Sequence, residues 1–190
     1  SNPYDPADIS VRAWFKSPQG DTTWINGFYD DYQNADQWKV RFSPDLTGQW
    51  EYKLRVNDNG ETDEGDVHTF TVAESEHHGW IQTSEQNPHY FEHADGSSFY
   101  GMAIYSPWGN SLNRIETFEE HDANLLALWN INYGGFVNGY ELFEHELGRY
   151  NQRKAGRLDS LLTIFERRDM KLMYCIWPHD AFSATVWATE

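Results

Sequence analysis

The chain is short of three things, and each shortage excludes something. Cys175 is its only cysteine, so no disulfide can form within it and no redox compartment can be read from a cysteine framework. Because Cys175 lies inside an apolar run, it reads as a small core residue rather than a nucleophile. Long apolar runs are absent too: nothing approaches the roughly 20 residues of a membrane span, and mean hydropathy is −0.77. Basic residues are scarce, with 14 Lys and Arg against 30 Asp and Glu and a net charge of −16. That balance repels a phosphate backbone, so nucleic acid is not an expected partner, and neither is a membrane. It also disfavours a strongly anionic substrate, and solubility is its simplest meaning. No secretory leader is visible, but the first residue is Ser1, so this decides nothing.

Familiar catalytic signatures are missing as well. His145-Glu146 begins a zinc-protease pattern, but Arg149 stands where the second His belongs. Gly109-Asn110-Ser111-Leu112-Asn113 lacks the second glycine of a nucleophile elbow. There is no phosphate loop and no dinucleotide fingerprint, so no cofactor is expected. The loop Asn57 to Asp66 is acidic, but it breaks the EF-hand register, since Arg55 would occupy the first ligand position. It reads as a solvated hairpin loop. His77-His78 reads as linker surface, and no metal site is expected.

Aromatic residues, by contrast, are plentiful, with nine Trp and 16% Phe, Trp and Tyr together. Flat rings with a polar edge suit sugar faces and cores alike. Residues 1–76 read as all-β. Ile9, Val11, Ala13 and Phe15 alternate with polar residues, as do Trp38, Val40 and Phe42, and then Trp50, Tyr52, Leu54 and Val56. Pro18 to Asp21 is a turn, and Phe70 and Val72 belong to a closing strand. Short strands at this spacing imply a β-sandwich. Residues 77–88 are polar and read as a linker.

From residue 89 the pattern changes. Ala94-Asp95-Gly96-Ser97 sits between two aromatic stretches and predicts a hairpin. A first strand follows over Tyr100–Ile104. Thr117 to Glu120 has capping-box spacing, and Phe118, Leu125, Leu128 and Trp129 mark a helix face, with a second strand expected over Ile131–Val137. Leu158, Leu161, Leu162 and Phe165 form one helix face behind an Asn151 N-cap. Leu172 to Trp177 is apolar without alternation, which predicts a strand buried on both faces. The order β-α-β-α-β implies parallel units, and residues 89–190 read as the first three strands of an incomplete (β/α)8 barrel, since a closed one needs about 250 residues. Polar and aromatic residues at the strand ends would then share one rim. These are Tyr105 and Trp108, then Asn138 and Tyr140, then Trp177, His179 and Asp180.

Specific stretches strengthen this reading. Asn26-Gly27-Phe28-Tyr29-Asp30, Trp38-Lys39-Val40-Arg41-Phe42-Ser43-Pro44 and Gly48-Gln49-Trp50-Glu51-Tyr52 resemble the uncharacterised Ig-like domain that precedes bacterial glycosidase barrels. His78-Gly79-Trp80, His93-Ala94-Asp95-Gly96, Gly148-Arg149-Tyr150-Asn151, Arg157-Leu158-Asp159 and the strand ending His179-Asp180 resemble units of cellulase-like glycoside hydrolase barrels. The resemblance implies a secreted or periplasmic enzyme that cleaves a poly- or oligosaccharide with two carboxylates. It places those carboxylates after strands four and seven, outside this chain. Tyr105, Trp108, Asn138, Tyr140, Trp177 and His179 would then contact substrate, and His179 and Asp180 would line the cleft. The alternative is a carbohydrate-binding or adhesion module without chemistry.

Overall fold

A computed structural model describes residues 2–106, 114–129, 144–146 and 148–176. The chain forms two compact units, one of Ser1–Glu76 with Glu146–Gln152 and one of His77–His145 with Arg153–Glu190.

The first unit is built on β1 (Ile9–Lys16), β2 (Thr22–Asn26), β5 (Gly48–Asp58), β6 (Glu61–Glu64) and β7 (His68–Val72). They form one antiparallel sheet, in the order β2-β1-β5-β6 with β7 also on β5. The alternation read from the sequence explains β1 and β5. Ala13, Phe15 and Trp50 are the buried centre, and Phe42, Tyr52, Phe70 and Val72 pack around them. Rings dominate this core: Phe15 stacks on Phe42 at 3.9 Å, and Phe42 meets Trp50 edge-on at 5.1 Å. The Trp50 indole N–H donates to the Leu46 carbonyl at 2.9 Å, so its one polar atom is satisfied.

Two details of this unit differ from the sequence reading. The strand expected through Trp38, Val40 and Phe42 ends early. β4 covers only Gln37–Lys39 and pairs with β3 (Phe28–Asp30), while Val40, Phe42 and Leu46 enter the core from irregular chain. Side-chain burial, not a ladder of hydrogen bonds, holds that stretch. The acidic loop is also mostly strand. β5 and β6 pair as far as Asp58 and Glu61, and a two-residue Asn59-Gly60 turn with positive φ at both positions joins them. The unit also takes in the segment that ends at Gln152. Tyr150 lies edge-on to Tyr4 at 5.4 Å, and Gln152 donates to the Tyr4 hydroxyl at 3.0 Å.

The second unit begins with a small antiparallel sheet of β8 (Ile81–Thr83), β9 (Phe91–His93) and β10 (Ser98–Phe99). The expected hairpin is therefore β9–β10. The expected linker 77–88 instead contributes β8, which pairs with β9. Then come β11 (Ala103–Tyr105), α1 (Ile115–Glu120), β12 (Leu125–Trp129), α2 (Gln152–Arg167) and β15 (Lys171–Cys175). β13 (Glu144–Glu146) and β14 (Arg149–Tyr150) form a two-stranded pair ahead of α2, in a stretch read from the sequence as loop.

The strands β11, β12 and β15 lie side by side and parallel, in chain order. Their second member is misplaced in the sequence reading. The helix ends at Glu120, Asp122 turns the chain with φ 61°, and Leu125–Trp129 is strand rather than helix face. Leu125, Leu128 and Trp129 fit a helical spacing by coincidence, because a short apolar run carries no period of its own. The expected strand over Ile131–Val137 lies outside the described residues. The capping box fails too: α1 starts two residues before Thr117 and has no side-chain cap. Arg168 ties this short helix to the end of α2 by pairing with Glu116 at 3.0 Å and with Glu119.

The core of the unit is Ile115, Leu126, Leu128, Leu161, Phe165 and Met170, joined by Ile104, Leu158, Leu172 and Tyr174. Leu162, expected on the buried face of α2, is exposed. β15 is not buried on both faces, since Met173 between Leu172 and Tyr174 is 57% exposed. No described helix is long and apolar enough to cross a membrane.

Candidate functional site

Parallel strands end on one edge, so Tyr105 of β11, Trp129 of β12 and Cys175 of β15 close the same end of the sheet. Tyr105 is 60% exposed, and Ser106 beyond it is buried, with its N–H donating to the Ala127 carbonyl at 3.0 Å. The register sets Tyr105, Ala127 and Met173 in one row across the sheet, on the face opposite the helices, whereas Ile104, Leu126 and Leu172 form the neighbouring row beneath them. Of the seven expected rim residues, Tyr105 is thus placed at the C-terminal end of its strand. Trp108, Asn138, Tyr140, Trp177, His179 and Asp180 lie outside the described residues. Burial pushes the Tyr174 phenol above its ordinary range, so it stays neutral within the helix-side core.

A second constellation lies at the small sheet, built by residues that sequence reasoning set aside. The Asp95-Gly96 turn between β9 and β10 folds Asp95 back toward His78, and Gly96 supplies the positive φ that the turn needs. His78 Nδ1 is 2.7 Å from Asp95 Oδ2. An ionised carboxylate only accepts, so Nδ1 carries the hydrogen. Ser97 donates its hydroxyl to Asp95 Oδ1 at 2.6 Å, and its N–H donates to the same oxygen at 2.9 Å. These bonds, led by the Ser97 hydroxyl and followed by His78, hold the Asp95 carboxyl well below its usual range. His93 is 8% exposed, its ring lies 5.0 Å from that of His78, and Phe99 meets it edge-on at 5.4 Å. Gly79 is needed beside this contact: with φ 80°, a Cβ there would meet the Ala94 Cβ at 2.8 Å.

Asp, His and Ser together suggest a nucleophile triad, but the geometry does not make one. A triad needs carboxylate and hydroxyl on opposite ring nitrogens, whereas here both approach Nδ1, and Ser97 Oγ is 3.4 Å away with its hydrogen committed to Asp95. Among the described residues, no three His, Cys, Asp or Glu side chains are arranged to hold a metal. The cluster therefore acts as a clasp that fixes the 78–80 arm to the β9–β10 turn. On β9, Glu92 is buried and accepts from the Glu85 N–H at 3.2 Å and from Gln82 at 3.4 Å. With the Ser84 hydroxyl as the leading cause, these bonds lower its carboxyl pKa. The sequence signal was the pairing of His78 with an Asp-Gly turn, and it becomes legible only once β8 is seen to lie against β9.

Comparison with known proteins adds the following. Residues 1–57 match a family described as Domain of unknown function (DUF5060), and the stretches that carry the Ig-like resemblance, Asn26 to Tyr52, fall inside that match. The chain is 30% identical over 138 residues to an amylopullulanase of Thermoanaerobacterium thermosulfurigenes, across 66% of this chain and 7% of that protein. A solved structure from Bacteroides vulgatus, a protein whose glycoside hydrolase activity is itself inferred, superposes with a TM-score of 0.72 and 21% identity, covering 95% of this chain and 39% of that one. The chain therefore spans well under half the length of either protein. The fold of both units is similar to part of that Bacteroides chain.

Proposed function

We propose that this chain is the N-terminal part of a glycoside hydrolase, with an Ig-like sandwich over residues 1–76 and the opening strands of a (β/α)8 barrel after it. One observation carries the reading. Three parallel strands follow one another in chain order, their helix side is filled, and their other side carries the row Tyr105, Ala127, Met173 with both outer members exposed. A barrel closes such a sheet on itself and turns that row inward. The likeness to the Bacteroides chain and the amylopullulanase supports the carbohydrate assignment.

In this reading two carboxylates on later strands hydrolyse the glycosidic bond through an oxocarbenium-like transition state. Tyr105, Trp108, Asn138, Tyr140, Trp177, His179 and Asp180 form one wall of the sugar cleft, stacking on rings and bonding hydroxyls without breaking the bond. Substrate is a poly- or oligosaccharide, and the enzyme works outside the cytoplasm. The test is the intact enzyme with His179→Ala, assayed on a panel of glycosides. A fall in kcat/KM at unchanged melting temperature is expected, because a rim side chain orients substrate and adds little to the core. An unchanged kcat/KM overturns the role given to the rim.

A further inference from the structure

The chain returns to the first unit for residues 146–152 and leaves it again at Arg153. The connection from β12 to α2, residues 130–151, exceeds the about 12–15 residues beyond which connections usually serve a function. Its last stretch, Gly148–Gln152, is gripped by groups far away in sequence. The Asn2 side-chain amide donates to the Gly148 carbonyl at 3.3 Å. Asn2 is itself fixed, with its N–H donating to Asp8 Oδ2 at 2.9 Å and its Oδ1 accepting the Tyr4 N–H at 3.1 Å. Tyr4 takes Tyr150 edge-on and lies edge-on to Tyr29 at 5.8 Å. Tyr29 donates its hydroxyl to Asp36 Oδ1 at 2.9 Å, and with that bond as the leading cause its phenol is pushed up to about 12 and stays neutral. Gln152 sits at the centre. Its amide nitrogen donates to the Tyr4 hydroxyl and, at 3.3 Å, to the Tyr29 carbonyl, while its Oε1 accepts the Asp31 N–H at 3.4 Å. Both hydrogens and the oxygen of the amide are thus in use, and a carboxylate of the same length could not donate at all.

We propose that the first unit is a clamp for the chain's own Gly148–Gln152 segment, and that Gln152 is a positioning residue that fixes the start of α2 for substrate binding. The reason lies in connectivity. In a parallel sheet each strand leads out at its C-terminal edge, and the following helix starts from that edge. Gln152 is the first residue of α2, so holding it sets where the β12–α2 connection ends. A connection ordered before a ligand arrives leaves less ordering cost to fall on binding. Gln152 acts through position and touches no reacting atom, so its effect belongs to affinity and not to bond cleavage. The effect on substrate rests on the glycosidase reading above, whereas the clamp does not.

The test has two arms. In residues 1–190, Gln152→Ala is expected to speed hydrogen exchange about tenfold at the amides of Gly148 to Arg153 and of Asp31, with those of β1 and β5 unchanged. Tyr4→Phe should give a smaller rise and add nothing to Gln152→Ala, because the two residues share one bond. It removes a single hydroxyl, and it carries the test if Gln152→Ala does not fold. In the intact enzyme, Gln152→Ala should raise KM for a cleaved glycoside about fivefold while kcat holds, and Gln152→Glu, which keeps the length and the acceptor, should fall between. Unchanged exchange in both variants would overturn the clamp. Faster exchange with an unchanged KM, or a fall in kcat in place of the rise in KM, would overturn the positioning role. An intact protein that cleaves no glycoside would refute the enzyme reading, and the exchange arm would still decide the clamp.

Discussion

The antiparallel sheet of the first unit and the parallel sheet of the second differ in what covers their two faces. Around β1 and β5, both faces are furnished by residues close in sequence, with rings from residues 40–72 on one side and a lattice of Arg, Lys and Trp on the other. Around β12, one face is filled by α1 and α2, and the other presents Tyr105 and Met173. An antiparallel sheet completes itself through hairpins, whereas a parallel one depends on crossovers and, for its second face, on further strands. The first sheet has both faces furnished within its own unit, and the second leaves Tyr105 and Met173 exposed on one face.

Cavity formation should affect both cores most. Leu126 is 0% exposed, and Leu126→Ala is expected to cost about 3–4 kcal/mol in a urea titration. Trp50 is 4% exposed, and Trp50→Ala should cost about 3–5 kcal/mol. A loss under about 1 kcal/mol at either site would mean that the cluster is not packed as described.

Gly79→Ala comes next. The clash with Ala94 and the positive φ together should cost about 1–2 kcal/mol, and hydrogen exchange should report it first in the β8–β9 amides. Exchange unchanged there would break the clasp reading.

A third test uses pH. The Asp95 carboxyl titrates lower in the fold than its ordinary value of 3.8, so its contribution is full above that value and is lost as pH falls below it. Stability measured from about pH 5 down to pH 2 should therefore decline less steeply in Asp95→Asn than in the parent, since the variant has no carboxyl to protonate. Parallel curves would contradict the His78–Asp95–Ser97 arrangement.

The smallest expected effect is the most discriminating between the two sheets. Met173→Glu should change the stability of residues 1–190 by less than about 0.5 kcal/mol, because the side chain is exposed. In a longer chain that closes the barrel, the same change buries a charge and should cost several-fold more. Equal cost in both would mean that the row Tyr105, Ala127, Met173 never turns inward.

The sequence was most legible where period and burial agree. Val11, Ala13 and Phe15 alternate in one buried row, so β1 could be read directly. It was least legible where an element is too short to show a period. Leu125 to Trp129 holds five apolar residues behind a two-turn helix, and their spacing imitated a helix face until Asp122 was seen to end it. Residues 77–88 read as linker because β8 has only three residues, and its pairing with β9 is a long-range fact with no local mark. The same distance hid the His78–Asp95 contact. The Arg, Lys and Trp lattice of the first sheet escaped notice because charged and aromatic residues alternating on a strand look like ordinary solvent exposure until register sets Arg12 beside Arg55.

The central claim is that this chain supplies the Ig-like domain and one wall of a glycosidase whose carboxylates lie further along. The direct measurement expresses the reading frame continued beyond codon 190 and compares it with residues 1–190 on the same panel of glycosides. The account expects hydrolysis by the longer protein and none by the shorter. Turnover by residues 1–190 alone, or a longer protein that folds and cleaves no glycoside, would contradict it.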